Sequence, residues 1–163
     1  MKFIRTFFIF AIGLFTAVIL YPFLHESGHS LFAVALGGKV TEFNLLPLPN
    51  IVCNVSGLEA RAIAFIGLGG LLFPLIFTAL VNIKNFWAWL IGIYISFITF
   101  LSYLISLYGC IAYAYGTPVV NEDVTQIIDI DPNAFSGLII LLIALMGIVA
   151  FQVVKSKGLQ RYL

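Results

Sequence analysis

Charged residues are scarce in this chain of 163 residues, where Asp, Glu, Lys and Arg together make up 9%, against about 25% in soluble domains. Disordered chains are rich in charge, so this composition excludes disorder, and a net charge of +1 offers no basic surface for nucleic acid. Hydrophobic residues make up 62%, more than the interior of so small a soluble fold could hold. The chain is therefore predicted to be an integral membrane protein embedded in the lipid bilayer, without a nucleic-acid partner.

Cysteine and histidine are also rare, with two of each in the chain. Cys53 and Cys110 lie far apart and form no CxxC pair, which argues against a cysteine metal site. Two inert thiols are a simpler interpretation than a disulfide. Because polar residues are so few, any ionisable side chain inside an apolar run marks a candidate functional site.

Four long apolar runs dominate the sequence, and each is long enough to cross a bilayer as a helix. The first is too long for a signal peptide and has no small-residue cleavage site. It also exceeds the thickness of a bilayer, so it must tilt, kink near Pro22 or continue along the interface. The predicted fold class is an all-α polytopic membrane protein, a single membrane-embedded domain over residues 1–163. Its membrane helices are predicted at about 3–36, 60–81, 86–108 and 134–154.

Two segments between the runs differ from them in pattern. Residues 39–56 roughly alternate polar and apolar side chains around Pro47 and Pro49, which predicts a small β-hairpin after the first helix. Residues 109–133 contain four of the seven acidic residues and are predicted to form a loop, of which residues 119–128 are apolar enough to re-enter the bundle.

The distribution of cations predicts the orientation in the membrane. If both termini are cytoplasmic, Lys39 and Arg61 alone lie on the outer side. The positive-inside rule favours this arrangement, which places the hairpin and the acidic loop together on the outer face. The cations then on the cytoplasmic side are Lys2, Arg5, Lys84, Lys155, Lys157 and Arg161.

Both histidines lie in the pentapeptide HESGH at residues 25–29. On a helix, His25 and His29 project from one face about one turn apart, so both imidazoles can bind one metal ion. Glu26 can reach a water at that metal without being a ligand, which is the HExxH arrangement of zinc hydrolases. The plainer interpretation is that the three residues are solvated at a helix end, but their position inside an apolar run argues against it.

A hydrolytic zinc needs a third protein ligand, and no further histidine exists. Asp129 and Asp131 precede the last helix, where a capping role would explain them. Glu122 and Asp123 lie in a moderately apolar segment, where a solvated surface role is a weaker explanation. Side-chain chemistry alone does not separate these two neighbours. The complete set of acidic candidates is Glu42, Glu59, Glu122, Asp123, Asp129 and Asp131.

HESGH is followed by the sequence SLFAVALGGKV, and residues 67–70 read GLGG. This combination resembles the site-2 protease family of intramembrane zinc metalloproteases, over roughly residues 15–128. The resemblance implies zinc as cofactor, Glu26 as the catalytic base, and His25 and His29 as ligands. It also implies that Asp123 is the third ligand, because the family's aspartate follows its third core helix. The sequence departs from the family in lacking its Asn-Pro-Asp-Gly or Leu-Asp-Gly wording around that aspartate.

The leading functional hypothesis is therefore an intramembrane zinc metalloendopeptidase that hydrolyses peptide bonds in or near transmembrane segments of membrane-protein or peptide substrates. A membrane metal transporter is one alternative, since some transporters contain HExxH-like patterns, but four spans and two histidines are few for a transport path. A catalytically idle zinc-binding membrane protein is another, although a structural zinc site would not need Glu26. Metal-dependent cleavage separates the first hypothesis from the others, and metal flux identifies the second.

Overall fold

The structure, a computed structural model, describes residues 2–44, 49–80, 85–120 and 122–155. It is 78% helical, has four helices long and apolar enough to span a membrane, and contains a two-stranded antiparallel hairpin after the first of them. The predicted fold class is thus confirmed. The elements in chain order are α1 (Lys2–Phe15), a π-helical turn (Thr16–Leu20), α2 (Tyr21–Ala35), β1 (Lys39–Asn44), β2 (Asn50–Asn54), α3 (Ala60–Leu80), α4 (Phe86–Ala114), α5 (Asp123–Ile130) and α6 (Ala134–Lys155).

The first membrane helix is continuous from α1 through α2, and its irregularity is the π-helical turn rather than a break. Pro22 lies in the first turn of α2 and has no N–H to donate to the carbonyl of Val18. The N–H of Tyr21 instead reaches back to the carbonyl of Thr16, which is the wider π-type hydrogen bond. Pro22 therefore explains why the helix widens just before the HESGH pentapeptide.

The hairpin lies directly after α2, and a positive-φ Gly37 allows the chain to leave the helix. β1 and β2 pair antiparallel, with Val40 opposite Cys53 and a β-bulge between Val40 and Glu42. The predicted turn around Pro47 lies outside the described residues. The hairpin contacts α2, so it lies beside the histidine-containing helix.

The third membrane helix is longer than predicted, since α4 continues past Tyr108 to Ala114. The prediction of an end near residue 108 is wrong because Gly109 does not interrupt the helix. A Cβ at this position would lie 2.8 Å from the carboxylate of Glu122, so the glycine provides room for a neighbouring side chain. The chain turns only at the positive-φ Gly116.

The acidic segment is not only a loop, because it contains the short helix α5. Its apolar side chains Val124, Ile127 and Ile128 are buried in the main core, with side chains of α3, α4 and α6. Burial of this face explains why eight residues remain helical between two loops. The helix holds its first residue, Asp123, inside the bundle.

The remaining helix boundaries agree closely with the sequence prediction, and the chain is a multi-pass membrane protein. The polar turn predicted at residues 82–85 falls mostly outside the described residues, although Asn85 is seen to cap α4 by accepting a hydrogen bond from the N–H of Ala88. Lys84, Lys157 and Arg161 also lie outside the described residues, so the cytoplasmic location of both termini stays a prediction.

Helices α2 and α3 approach each other most closely at a pair of glycines. A Cβ built on Gly28 would overlap the backbone carbonyl of Gly69, and one built on Gly69 would lie 2.6 Å from the carbonyl oxygen of Gly28. Contact of backbone with backbone is the role that small residues have in membrane helices. It brings α3 directly against the histidines of α2.

We expect Gly28→Ala to destabilise the protein by about 1–3 kcal/mol, because the methyl group meets backbone that can yield only if the two helices separate. The measurement is thermal unfolding in detergent, followed by circular dichroism. Gly137→Ala in α6 is the matched control, since a Cβ there meets nothing within 4 Å and alanine is the better helix former. Equal midpoints for the two variants would contradict the close approach.

Candidate metal centre

Three side chains from two helices converge on one point. His25 and His29 lie one turn apart on α2, and Asp123 is the first residue of α5. The Nε2 atoms of the two histidines are 3.1 Å apart, and the Asp123 Oδ2 atom lies 3.2 Å from His25 Nε2 and 3.4 Å from His29 Nε2. These residues form the group of potential metal ligands found among the described residues.

The size of this triangle fits a zinc ion. Ligand atoms about 2.0–2.1 Å from zinc at tetrahedral angles lie about 3.3 Å from one another. The three observed distances, 3.1, 3.2 and 3.4 Å, bracket that value. Two imidazole nitrogens and one carboxylate oxygen are also a donor set that zinc accepts, with a fourth position left for water.

The hydrogen bonding of His29 favours the same interpretation. Its Nδ1–H donates to the backbone carbonyl of Ile66 on α3, at 2.8 Å. A neutral imidazole with its proton on Nδ1 has a lone pair on Nε2, which faces the carboxylate of Asp123. Two such acceptors repel each other unless a proton on Nε2 or a metal ion lies between them. Gly70 on α3 leaves room for the imidazole of His29, because a Cβ at position 70 would overlap His29 Nε2.

His25 is held by an aromatic neighbour that the sequence analysis missed. The ring of the buried Tyr21 stacks on the imidazole of His25, with centroids 6.3 Å apart and an interplanar angle of 29°. Tyr21 precedes His25 by one helical turn, as His25 precedes His29. The same i, i+4 spacing that revealed the histidines could therefore have revealed this contact.

Asp123 is a half-buried carboxylate whose ionised form is favoured by its neighbours. Burial opposes ionisation, but the hydrogen bonds and charges of His25 and His29 outweigh it and hold the pKa of Asp123 well below its ordinary value. The residue is therefore an anion at neutral pH, as an oxygen ligand of a metal ion must be.

The other acidic candidates are not part of the ligand group, although Glu122 lines the same cavity. Glu122 turns away from the histidines and caps α5, accepting a hydrogen bond from the N–H of Thr125. Asp131 accepts a hydrogen bond from the N–H of Asn133, which forms a turn just before α6 and includes no N–H of that helix. Of the remaining acidic candidates, none belongs to the ligand group and all are exposed: Glu42, Glu59 and Asp129.

The ligand triangle lies in the wall of a cavity of about 640 Å³, large enough for several side chains. Glu26 lines the same cavity, although it is not one of the three converging residues. Residues of β2, including Ile51 and Cys53, form another part of the wall. A carboxylate, a potential metal site and a strand thus face one cavity.

Cys53 lines this cavity but is a poor competitor for a metal ion. Burial and the nearby charge of Glu26 raise the pKa of its thiol. A thiol binds metal as the thiolate, so a raised pKa disfavours binding. Cys53 and the buried Cys110 are both free, which agrees with the prediction of two thiols rather than a disulfide.

The site therefore combines two imidazoles and a carboxylate that could hold a metal ion with a second carboxylate facing the same cavity. No protein-family model matches the chain, and neither a curated protein nor a solved structure matches it.

Proposed function

We propose that the protein is an intramembrane zinc metalloendopeptidase. The observation that carries the proposal is the convergence of His25, His29 and Asp123 at zinc spacing in a cavity that Glu26 also faces. A structural zinc site is normally closed by four protein ligands, whereas a catalytic site has three and an open position. Three ligands beside a cavity favour the catalytic kind.

Zinc held by these three residues would supply Lewis acidity and would lower the pKa of water at the site to about 7. The role assigned to Glu26 is that of general base and acid. Its carboxylate accepts a proton from the attacking water and then delivers that proton to the nitrogen of the departing amine. His29, oriented by the carbonyl of Ile66, keeps its Nδ1 proton throughout.

The proposed substrate is an unwound stretch of a transmembrane segment. A helix hides its scissile carbonyl in internal hydrogen bonds, so the segment must become extended before it is cut. Among the described residues, β2 pairs with β1 on one side only, and Asn50, Ile51 and Cys53 of β2 line the cavity. An extended peptide could add to this strand and satisfy its own backbone polar groups there.

The motifs of the chain add support from resemblance. HESGH in the first membrane helix, the Gly-Gly exit into a hairpin, and the glycines of α3 resemble the site-2 protease family, to which we propose the chain belongs. In the structure, Gly69 and Gly70 of α3 lie against the histidine-containing helix, so this part of the resemblance coincides with packing at the site.

We expect the purified protein to contain about one zinc ion per chain, and a double variant His25→Ala/His29→Ala to contain almost none, because two of three ligands are removed. Elemental analysis measures the zinc. The functional arm is cleavage of a panel of transmembrane peptides in proteoliposomes, which a strong chelator should abolish and added zinc restore.

Two outcomes would contradict the proposal. Unchanged zinc content in the double variant would show that the metal binds elsewhere. Movement of metal ions across the vesicle membrane, without cleavage of any peptide, would favour transport instead. A second variant, Glu42→Gln on the exposed hairpin strand β1, controls for general effects of substitution on reconstitution.

A further inference from the structure

Glu122 joins two helices through both oxygens of its carboxylate. Oε1 accepts a hydrogen bond from the hydroxyl of Ser106 on α4, at 2.7 Å. Oε2 accepts two hydrogen bonds from Thr125 on α5, at 2.8 Å from the backbone N–H and 3.1 Å from the hydroxyl. The two donors are buried, since Ser106 and Thr125 are 3% and 4% exposed, whereas Glu122 is half-buried and lines the cavity together with Ser106.

Helix α4 has a glycine at the position where the carboxylate of Glu122 approaches it. Gly109 lies about one turn after Ser106, and a Cβ on it would come within 2.8 Å of Glu122 Oε2 and 3.1 Å of its Cδ. Any larger residue at position 109 would push the carboxylate away from Ser106. Ser106 and Gly109, about one turn apart, thus accommodate the carboxylate of Glu122 on α4. Apolar residues otherwise predominate in this helix.

The consequence concerns the next residue, Asp123. Helix α5 has only eight residues and begins at Asp123, so its first turn depends on its cap for stability. A cap that bonds only to its own helix stabilises the helix without fixing where the helix lies. Glu122 also bonds to α4, which fixes the start of α5 relative to the bundle that carries the histidines.

We propose that Glu122 is a positioning residue that holds the Asp123 carboxylate at the metal centre by tying the start of α5 to Ser106. The proposal rests on the zinc site proposed above. It predicts that loss of the hydrogen bond between Glu122 and Ser106 weakens zinc binding while the three ligands themselves remain. Partners that orient ligands typically contribute about 10- to 100-fold to metal affinity.

The test is zinc affinity by chelator competition, measured on the full chain in detergent. Glu122→Ala should weaken zinc binding by about 10- to 100-fold but still bind one ion at saturation. Glu122→Asp still offers a carboxylate to cap α5 but is one methylene too short to reach Ser106, so it should also weaken binding. Glu122→Gln should restore most of the affinity, because its amide can serve both neighbours. The visible spectrum of bound cobalt should change in the alanine and aspartate variants.

Ser106→Ala removes the tie on the α4 side and leaves the ligands and the cap in place, so it should lower zinc affinity in the same direction as Glu122→Asp. Asp129→Ala, an exposed acid on the same helix, is the matched control and should leave affinity unchanged. Thermal unfolding of the zinc-free variants separates loss of the fold from loss of positioning.

Wild-type zinc affinity in Glu122→Asp and Ser106→Ala, both folded, would overturn the positioning role while leaving the zinc site intact. If the wild-type chain binds no zinc, or binds it equally without His25 and His29, the proposed function fails and the positioning role fails with it.

Discussion

Glu26→Gln is expected to bind about one zinc ion per chain, as the wild type does, and to lose peptide cleavage by a factor of at least about 100. Glutamine has nearly the same size as glutamate, and residue 26 is not one of the three converging ligands. The amide cannot accept a proton from water at neutral pH. The variant therefore removes the proposed general base without removing the metal.

The measurement pairs two readouts on one preparation: zinc content by elemental analysis, and the initial rate of cleavage of a transmembrane peptide in proteoliposomes. Glu42→Gln makes the same chemical change on β1, outside the ligand group, and should cleave at the wild-type rate. Cleavage by Glu26→Gln at a near wild-type rate would exclude Glu26 as the base. Loss of zinc from this variant would instead make Glu26 a ligand.

The membrane architecture was predictable because long apolar runs specify spanning helices without any knowledge of tertiary contacts. The segment after Tyr108 was not, because its structure depends on a distant partner. Gly109 reads as a helix end in the sequence, whereas in the fold it makes room for Glu122 and the helix continues. Likewise, α5 is too short to be stable alone and depends on burial of Ile127 and Ile128.

The candidate site was also predictable only where its residues are neighbours in the sequence. His25 and His29 share a helix, so their spacing alone predicts that they can bind one ion. The third ligand comes from another helix, and local chemistry gave no preference between Glu122 and Asp123. In the structure, Glu122 lies just before α5 and caps it, while Asp123 lies within its first turn. Their carboxylates consequently reach different neighbours, Ser106 in one case and the two imidazoles in the other.

The polar residues that support the site were overlooked for a different reason. Ser106 and Thr125 are ordinary hydroxyl residues, and hydroxyls are common enough in membrane helices to pass as packing residues. Their significance depends on a carboxylate that the chain brings to them from a neighbouring segment. A buried serine on the same face as a glycine one turn away, as at residues 106 and 109, would have been the signal.

Asp123→Ala is expected to weaken zinc binding by at least about 100-fold and to reduce peptide cleavage to the background rate. The substitution removes one of three protein ligands and leaves His25 and His29 to bind the ion alone. It also removes the anion that offsets the charge of a dication in a buried site. Both losses weaken zinc binding. Asp123→Ala should therefore lower zinc affinity more than removal of any other single carboxylate in the chain.

Comparison with the neighbouring residue makes the test specific to position 123. Glu122→Ala should bind zinc more weakly than the wild type but more tightly than Asp123→Ala, because it disturbs the position of a ligand that is still present. Asp129→Ala, on the exposed side of α5, should match the wild type in both affinity and cleavage. Chelator competition gives the order of affinities directly. If Glu122→Ala strips the metal while Asp123→Ala retains it, the third ligand is Glu122 and α5 must begin in a different orientation, since both Glu122 oxygens are otherwise occupied by Ser106 and Thr125.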